Sequence, residues 1–492
     1  MKTLNRNLML LGWFLTTMLF GAIAALLPAD VVARLIMVIF AGFLFILAWG
    51  LRKATTLYPE RALIYVSIFI LTTSIVWPQY VFFSVGGLPR INPFSLSAVI
   101  GLILILVMLV YYKSFSSRIS ALLAEIKAVV IFFILWISWR VISNLLSDEP
   151  LVNNLELLRE IIYVYSLFGY ALFICQGKNG MQLLGRVIVA STVIVGLAGL
   201  IEALQGKNIF ITFAGSEGTG EVGDAIATIV ADKVRAGAER VQSVFAHPIL
   251  FGQYLGSVAP VVLLAAVLDH SRLWKLMAYI AMPLIVIGVL ETGSRAALMA
   301  LMVSGIVMGG MLWLHLITTS KKYRGMAIMA VPIILIAIFA AYGFSTQLLA
   351  GNTHTESGST MVRATQLHYA LEAIPKSPIF GYGLGSAVHI AGIKTSLNTM
   401  TMDIFYVSVL LDSGWVGLTL FIAMVLSLII LTLRYVIRSN GQNIYYVSAY
   451  FAAGLAVLVS LGAVSMQQNI MLFMMSASVL AIAKYESNKY EF

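Results

Sequence analysis

The chain has 492 residues and a formal net charge of +10, with 60% hydrophobic and 11% charged residues. Soluble domains carry roughly 45–50% apolar and about 25% charged residues, and a mean hydropathy of +0.96 leaves more apolar surface than a water-soluble globule can hide. A soluble domain, a disordered chain, a collagen, a coiled coil and a disulfide scaffold are excluded, and the chain reads as an all-α, polytopic membrane helix bundle. Its lone cysteine, Cys175, permits no intramolecular disulfide. In such a chain the positive charge reports sidedness, and no nucleic-acid partner is expected.

A spanning helix needs about 20 mostly apolar residues. In chain order, fourteen candidates lie near 8–27, 31–50, 62–83, 94–111, 127–146, 160–176, 183–204, 248–268, 274–291, 296–317, 325–344, 404–433, 444–462 and 466–484. The first follows Lys2 and Arg6 without a small-residue cleavage site, which predicts a retained span. With the N-terminus in the cytoplasm, each cytoplasmic loop is short and basic: Arg52, Lys53 and Arg61 in one, Lys321, Lys322 and Arg324 in another. The positive-inside rule therefore places both termini in the cytoplasm. Two long polar stretches, 205–247 and 345–403, then fall on the extracytoplasmic face. The second contains one helical pattern over 360–374, capped by Ser359 or Thr360 and stopped by Pro375 and Pro378. The implied organisation is an N-terminal transmembrane bundle (1–204), a first loop (205–247), central transmembrane helices (248–344), a second loop (345–403) and C-terminal helices (404–492).

No phosphate-binding GxxxxGK[ST] or metal-binding HExxH run is present. The six histidines are not paired at metal-ligand spacing, so neither a metal nor another cofactor is expected. Arg295 lies on the tight turn between two spans, flanked by Thr292, Gly293 and Ser294. An arginine at membrane depth costs about 2.5–3.5 kcal/mol and faces a bundle interior or a wet cavity. It either snorkels to the interface or meets a ligand that the small residues, Ser294 among them, let approach. Arg240 precedes the eighth span, where Pro248 suits the first helical turn and puts His247 near the cap. Two external arginines match the oxygens of a diphosphate, and a lipid-linked diphosphate in the outer leaflet is the natural ligand. A hydroxyl acceptor then needs a base. The external candidates are Asp403, Asp412, His389, His368, Glu356 and Glu372; His247 also stays open. Asp403 opens the twelfth span, where a carboxylate favours the helix N-terminus and could equally be a plain cap. The Gly381–Gly385 run, with Gly383 at its centre, reads as a tight re-entry turn or as backbone approaching a ligand.

The order of these elements resembles the O-antigen ligase and O-antigen polymerase superfamily. The family shows an arginine followed by F-x-H-P, matched by Arg240, Phe245, His247 and Pro248. It shows T-G-S-R-[GA]-A, matched from Thr292 to Ala297. An arginine-bearing helix and P-x-x-G-x-G-x-G follow, matched by Arg363, Pro378, Gly381, Gly383 and Gly385. A last motif, H-N-x-Y-x-x-x-L-x-E-x-G-x-x-G, is matched at Tyr406, Leu410, Gly414 and Gly417, with Asp412 for Glu and Asp403-Ile404 for His-Asn. The resemblance covers roughly 235–430 and implies a GT-C-like membrane glycosyltransferase. Its expected activity is polymerisation: inverting, metal-independent transfer of glycan from an undecaprenyl-diphosphate carrier to a sugar hydroxyl, outside the bacterial inner membrane. Arg240, Arg295 and Asp403 would be catalytic; His247, Arg363, His389, Gly383, Ser294 and Tyr406 would contact substrate. Membrane lipid, a flippase and a chain-length regulator are the expected partners. An O-antigen ligase acting on lipid A core or protein is the alternative, and a polysaccharide transporter is a further one.

Overall fold

The computed structural model describes residues 58–78, 81–82, 92–177, 179–208, 210–211, 234–235, 238–319, 325, 354–394, 400–439 and 441–490. The expected spans 8–27 and 31–50, and 325–344 but for residue 325, lie outside these residues, as does 212–233 of the first loop. The helices are α1 (Glu60–Val76), α2 (Pro93–Tyr111), α3 (Lys113–Glu125), α4 (Lys127–Leu145), α5 (Pro150–Glu160), α6 (Leu167–Cys175), α7 (Gly180–Gln205), α8 (Pro248–Leu268), α9 (Arg272–Glu291), α10 (Arg295–Thr319), α11 (His354–Ala373), α12 (Ser386–Ala391), α13 (Phe405–Arg438), α14 (Asn443–Ser460) and α15 (Met471–Tyr490). Strand is confined to two short antiparallel ladders among the described residues, 234–235 with 238–239 and 393–394 with 400–401.

Ten helical segments among the described residues are long and apolar enough to cross a membrane, and each coincides with an expected span. The expected span at 62–83 is realised as α1, 17 residues long. At 1.5 Å per residue that is about 26 Å, short of the roughly 30 Å hydrocarbon core. The span expected at 160–176 begins earlier. Pro150 starts α5 at its first turn, and a five-residue π-helix, Ile161–Tyr165, carries the chain into α6. The helix expected over 360–374 also starts earlier, at His354. Neither Ser359 nor Thr360 is therefore its cap. Lys113–Glu125 forms a helix where a plain basic loop was expected.

The chain divides into two compact units. The smaller comprises Met1–Tyr58, Ser84–Pro89 and Ile103–Ser117; within it the Tyr58 and Phe115 rings meet edge-on at 5.1 Å. The larger holds the rest of the chain, and its centre is α8. Leu250, Phe251, Tyr254, Leu255, Val258 and Val262 of α8 are all buried, because α9, α10 and α14 surround it. Gly252 and Gly256, four apart on one face, let α10 come close. A Cβ on Gly252 would meet Ala297 and Thr292, and one on Gly256 would meet the backbone of Ala297 and Leu301. This small-xxx-small contact is the usual way for membrane helices to pack tightly. It fixes the turn before α10 against the start of α8. Outward-facing Leu96, Ile100, Ile134, Leu273, Leu276 and Leu290 remain exposed, the surface a lipid environment covers.

Candidate active site

The turn between α9 and α10 is built by its own short side chains. Thr292 Oγ1 donates to the Val289 carbonyl at 2.7 Å and accepts from Ser294 N–H at 3.3 Å. Gly293 has φ 54°, a conformation that favours glycine. Ser294 accepts from Ala297 N–H through both its hydroxyl (3.4 Å) and its carbonyl (3.2 Å), so it caps α10. Arg295 is thereby the first residue of α10, half-buried at the helix start. Onto this turn comes Arg240, buried, its Nε donating to the Thr292 carbonyl at 2.6 Å. Val241 N–H donates to the Glu291 carbonyl at 3.3 Å. The two arginines, far apart in sequence, thus share one turn.

At the other end of the same segment, His247 caps α8. Its Nδ1 accepts from Ile249 N–H at 3.1 Å, with Pro248 at the first helical position. Burial, reinforced by the charge of Arg240, pulls the imidazole down to about 4. His247 is therefore neutral at physiological pH.

The second loop folds back into a break in α13. Gly414 has φ 67° and ψ −175° and interrupts the helix. Trp415 N–H turns to the Pro378 carbonyl at 2.8 Å, while Tyr382 and Gly383 N–H reach the carbonyls of Leu411 (2.8 Å) and Asp412 (2.9 Å). A Cβ on Gly381 would strike the backbone of Leu411 and Asp412; one on Gly383 would strike Ser147 and Asn153. The close approach made by these two glycines is thus to protein. Gly385, with φ 86°, faces open space. Asp412 Oδ1 accepts from Ala387 N–H at 2.9 Å at the start of α12, and His389 on that helix is exposed.

Asp403 lies just before α13, whose cap is Ile404. The alternative reading of Asp403 as a plain cap is not met: its carboxylate stands 3.9 Å from Arg363 Nε of α11. Gln366, one turn on, accepts from Asp403 N–H at 3.1 Å and donates to the Thr401 carbonyl at 2.9 Å. Burial raises the Asp403 carboxyl above the ordinary aspartate value, and Arg363 opposes part of that rise. Tyr406 donates to the Leu458 carbonyl at 2.6 Å, so its hydroxyl proton is committed to holding α13 against α14. The 461–470 segment ties the two sides together. Ser465 donates to the Met402 carbonyl, and Asn469 Nδ2 donates to the Leu250 carbonyl at 2.9 Å.

Residues 280–422 match the family model described as O-antigen ligase. That stretch, less than a third of the chain, is similar to the O-antigen ligase family. No curated protein matches the chain. The matched region contains the Arg295 turn, Arg363, the glycine loop, Asp403 and Asp412; Arg240 and His247 precede it and join it through space.

Around this matched region the structure adds residues that the sequence reading did not place in the site. Arg140 is buried on α4, pairs with Glu160 at 2.6 Å, meets the Tyr165 hydroxyl at 3.2 Å and lies over the Trp136 ring. A cavity of about 20 Å³, room for one water, lies between Arg140, Ser408, Asp412 and Gln467. Ser143 Oγ reaches the carbonyls of Phe380 and Asp412, and Asn144 Oδ1 accepts from Leu384 N–H at 2.8 Å. Glu202 Oε2 accepts from the N–H groups of Gln242 and Ser243. The signal available for all four was a polar or charged residue near the end of an apolar span, which marks an internal partner without naming it.

Proposed function

We propose that the protein is a polysaccharide polymerase of this superfamily, acting on the extracytoplasmic face of the bacterial inner membrane. The donor is a glycan on undecaprenyl diphosphate and the acceptor is a sugar hydroxyl. The observation that carries this reading is Arg240 seated on the turn that bears Arg295. Two guanidinium groups at one turn suit a diphosphate, whose oxygens they bind bidentately. In the reaction the acceptor oxygen attacks the anomeric carbon, and the bond from that carbon to the phosphate oxygen breaks. The electron pair leaves on the carrier diphosphate, where Arg240 and Arg295 stabilise the growing charge. The hydroxyl proton passes to the Asp403 carboxylate. Attack opposite the leaving group inverts the anomeric centre. Arg363 holds Asp403 in place and favours its ionised form. His247, neutral, serves as a cap and can donate a hydrogen bond from Nε2. A flippase supplying donor and a chain-length regulator fit as partners.

The ligase reading is favoured by the description of the matched family model; the polymerase reading is favoured by Asp403 at the position where the ligase pattern has histidine. Deleting the protein separates them. The expected result is carrier-linked single repeat units without polymer. Full-length polymer accumulating unattached on the carrier would contradict it and make the protein a ligase.

A further inference from the structure

The non-helical segment between Arg240 and His247 contains a residue in an unfavourable conformation. Ser243 has φ 55°, in the left-handed region that side chains disfavour. Each polar group of Ser243 is nevertheless engaged by α7 or by the residue shortly after it. Its N–H donates to Glu202 Oε2 at 2.7 Å, its hydroxyl donates to the Val195 carbonyl at 2.6 Å, and its carbonyl accepts from Asn208 Nδ2 at 2.7 Å. The same Glu202 oxygen accepts from Gln242 N–H at 3.3 Å and from Asn208 Nδ2 at 2.9 Å. Glu202 itself is only 3% exposed.

Two costs meet here. A carboxylate taken out of water is unfavourable unless donors surround it. A strained backbone persists only where its surroundings over-determine it, and such places cluster at sites of function. Both are arranged around Gln242 and Ser243, two of the residues between Arg240, on the Thr292 turn, and His247, at the α8 cap.

We propose that Glu202 is a positioning residue for the diphosphate clamp. Its carboxylate fixes the backbone of Gln242 and Ser243 and so sets where Arg240 meets the turn that carries Arg295. It acts through the chain and touches no substrate. The inference rests on the reading of Arg240 as a donor ligand and deepens it.

The test is Glu202→Gln, which keeps the size and removes the charge, so that the bonds to three N–H donors weaken. The purified protein would be assayed in detergent with a polyprenyl-diphosphate-linked oligosaccharide. Donor KM rises by about tenfold, the change expected when one charge-assisted contact is misplaced, and acceptor KM stays the same. A merely structural Glu202 would lower the amount of active protein, reducing apparent kcat with both KM values unchanged; that outcome overturns the proposal. Adding Ser243→Gly to Glu202→Gln supplies a rescue, since glycine adopts φ 55° without strain. Donor KM recovers part-way, and a double variant no better than Glu202→Gln alone overturns the proposal too. Binding of undecaprenyl diphosphate in micelles distinguishes the two levels of failure. If the wild type fails to bind it, the clamp itself is wrong; if wild type and Glu202→Gln bind it equally, only the positioning role is wrong.

Discussion

Arg240 is 8% exposed and donates to a backbone carbonyl at 2.6 Å, on a segment whose backbone is gripped again at Val241, Gln242 and Ser243. The Asp403 side chain is a third exposed, and Arg363 meets it across 3.9 Å. The first arrangement suits a group that must present the same charge to the same diphosphate in every cycle. Preorganised dipoles and charges of this kind need no rearrangement when the leaving group's charge develops. The second suits a group that must be reached by a hydroxyl, change protonation state and release its proton again. On the function proposed above, the site combines a fixed donor side with an accessible acceptor side.

The largest expected effect comes from the accessible side. If Asp403 is the base proposed above, Asp403→Asn should slow transfer by roughly 10²–10⁴-fold, while undecaprenyl diphosphate binding, measured on the purified protein, stays at the wild-type level. Weakened carrier binding in this variant would blur the division between the two sides. Next comes Arg295→Lys. Lysine keeps the charge and loses the planar fork; a charge-assisted bond contributes roughly 1.5–3 kcal/mol, so transfer should fall by about tenfold to a hundredfold or more at equal protein level. An arginine that only snorkels to the interface would be replaced by lysine without loss.

The scaffold beneath the accessible side gives a third prediction. Gly414→Ala places a methyl group against the Ile379 carbonyl at positive φ, and thermal unfolding in detergent should shift down strongly. Gly385→Ala meets open space and should cost only the backbone strain, roughly 1–2 kcal/mol. Equal shifts in the two variants would show that the loop is not locked into the α13 break. The smallest effect is on pH dependence. A base must be ionised, so the rate falls as pH drops through the Asp403 pKa, which burial holds above the usual aspartate value. Arg363 favours the ionised form, so Arg363→Ala should raise that pKa further and move the acidic limb of kcat/KM to higher pH. His247, held near 4, is neutral at physiological pH. A limb that stays in place, or moves to lower pH, would separate Arg363 from Asp403.

The spans were legible because a run of about 20 apolar residues has few other uses, and Thr292-Gly293-Ser294 was legible as a turn because small, hydrogen-bonding residues punctuate two such runs. The Gly381–Gly385 run was legible as a tight re-entry turn or as backbone approaching a ligand, and Gly381 and Gly383 do lie against neighbouring protein. What approaches could not be read, because the Leu411, Asp412 and Ser147 contacts are set by a helix break and a neighbouring span. Asp403 was placed at a helix start correctly to within one residue, yet its partner Arg363 lies 40 positions earlier on another helix. Glu202, Asn144 and Arg140 were visible only as polar residues near span ends. Their roles depend on backbone groups brought near by tertiary packing, and no local pattern encodes those.

The central claim is that Arg240 and Arg295 act together on one diphosphate, and a double-mutant cycle tests it most directly. Arg240→Lys, Arg295→Lys and the double variant would be compared in kcat/KM for a polyprenyl-diphosphate-linked donor, at matched protein levels. Groups that share one ligand are coupled, and coupling of roughly 0.5–3 kcal/mol is typical of such neighbours. The account predicts that the double variant is clearly faster than the product of the two single losses implies, because the first substitution already spoils the clamp. Losses that simply multiply would show two arginines acting independently and would contradict the account.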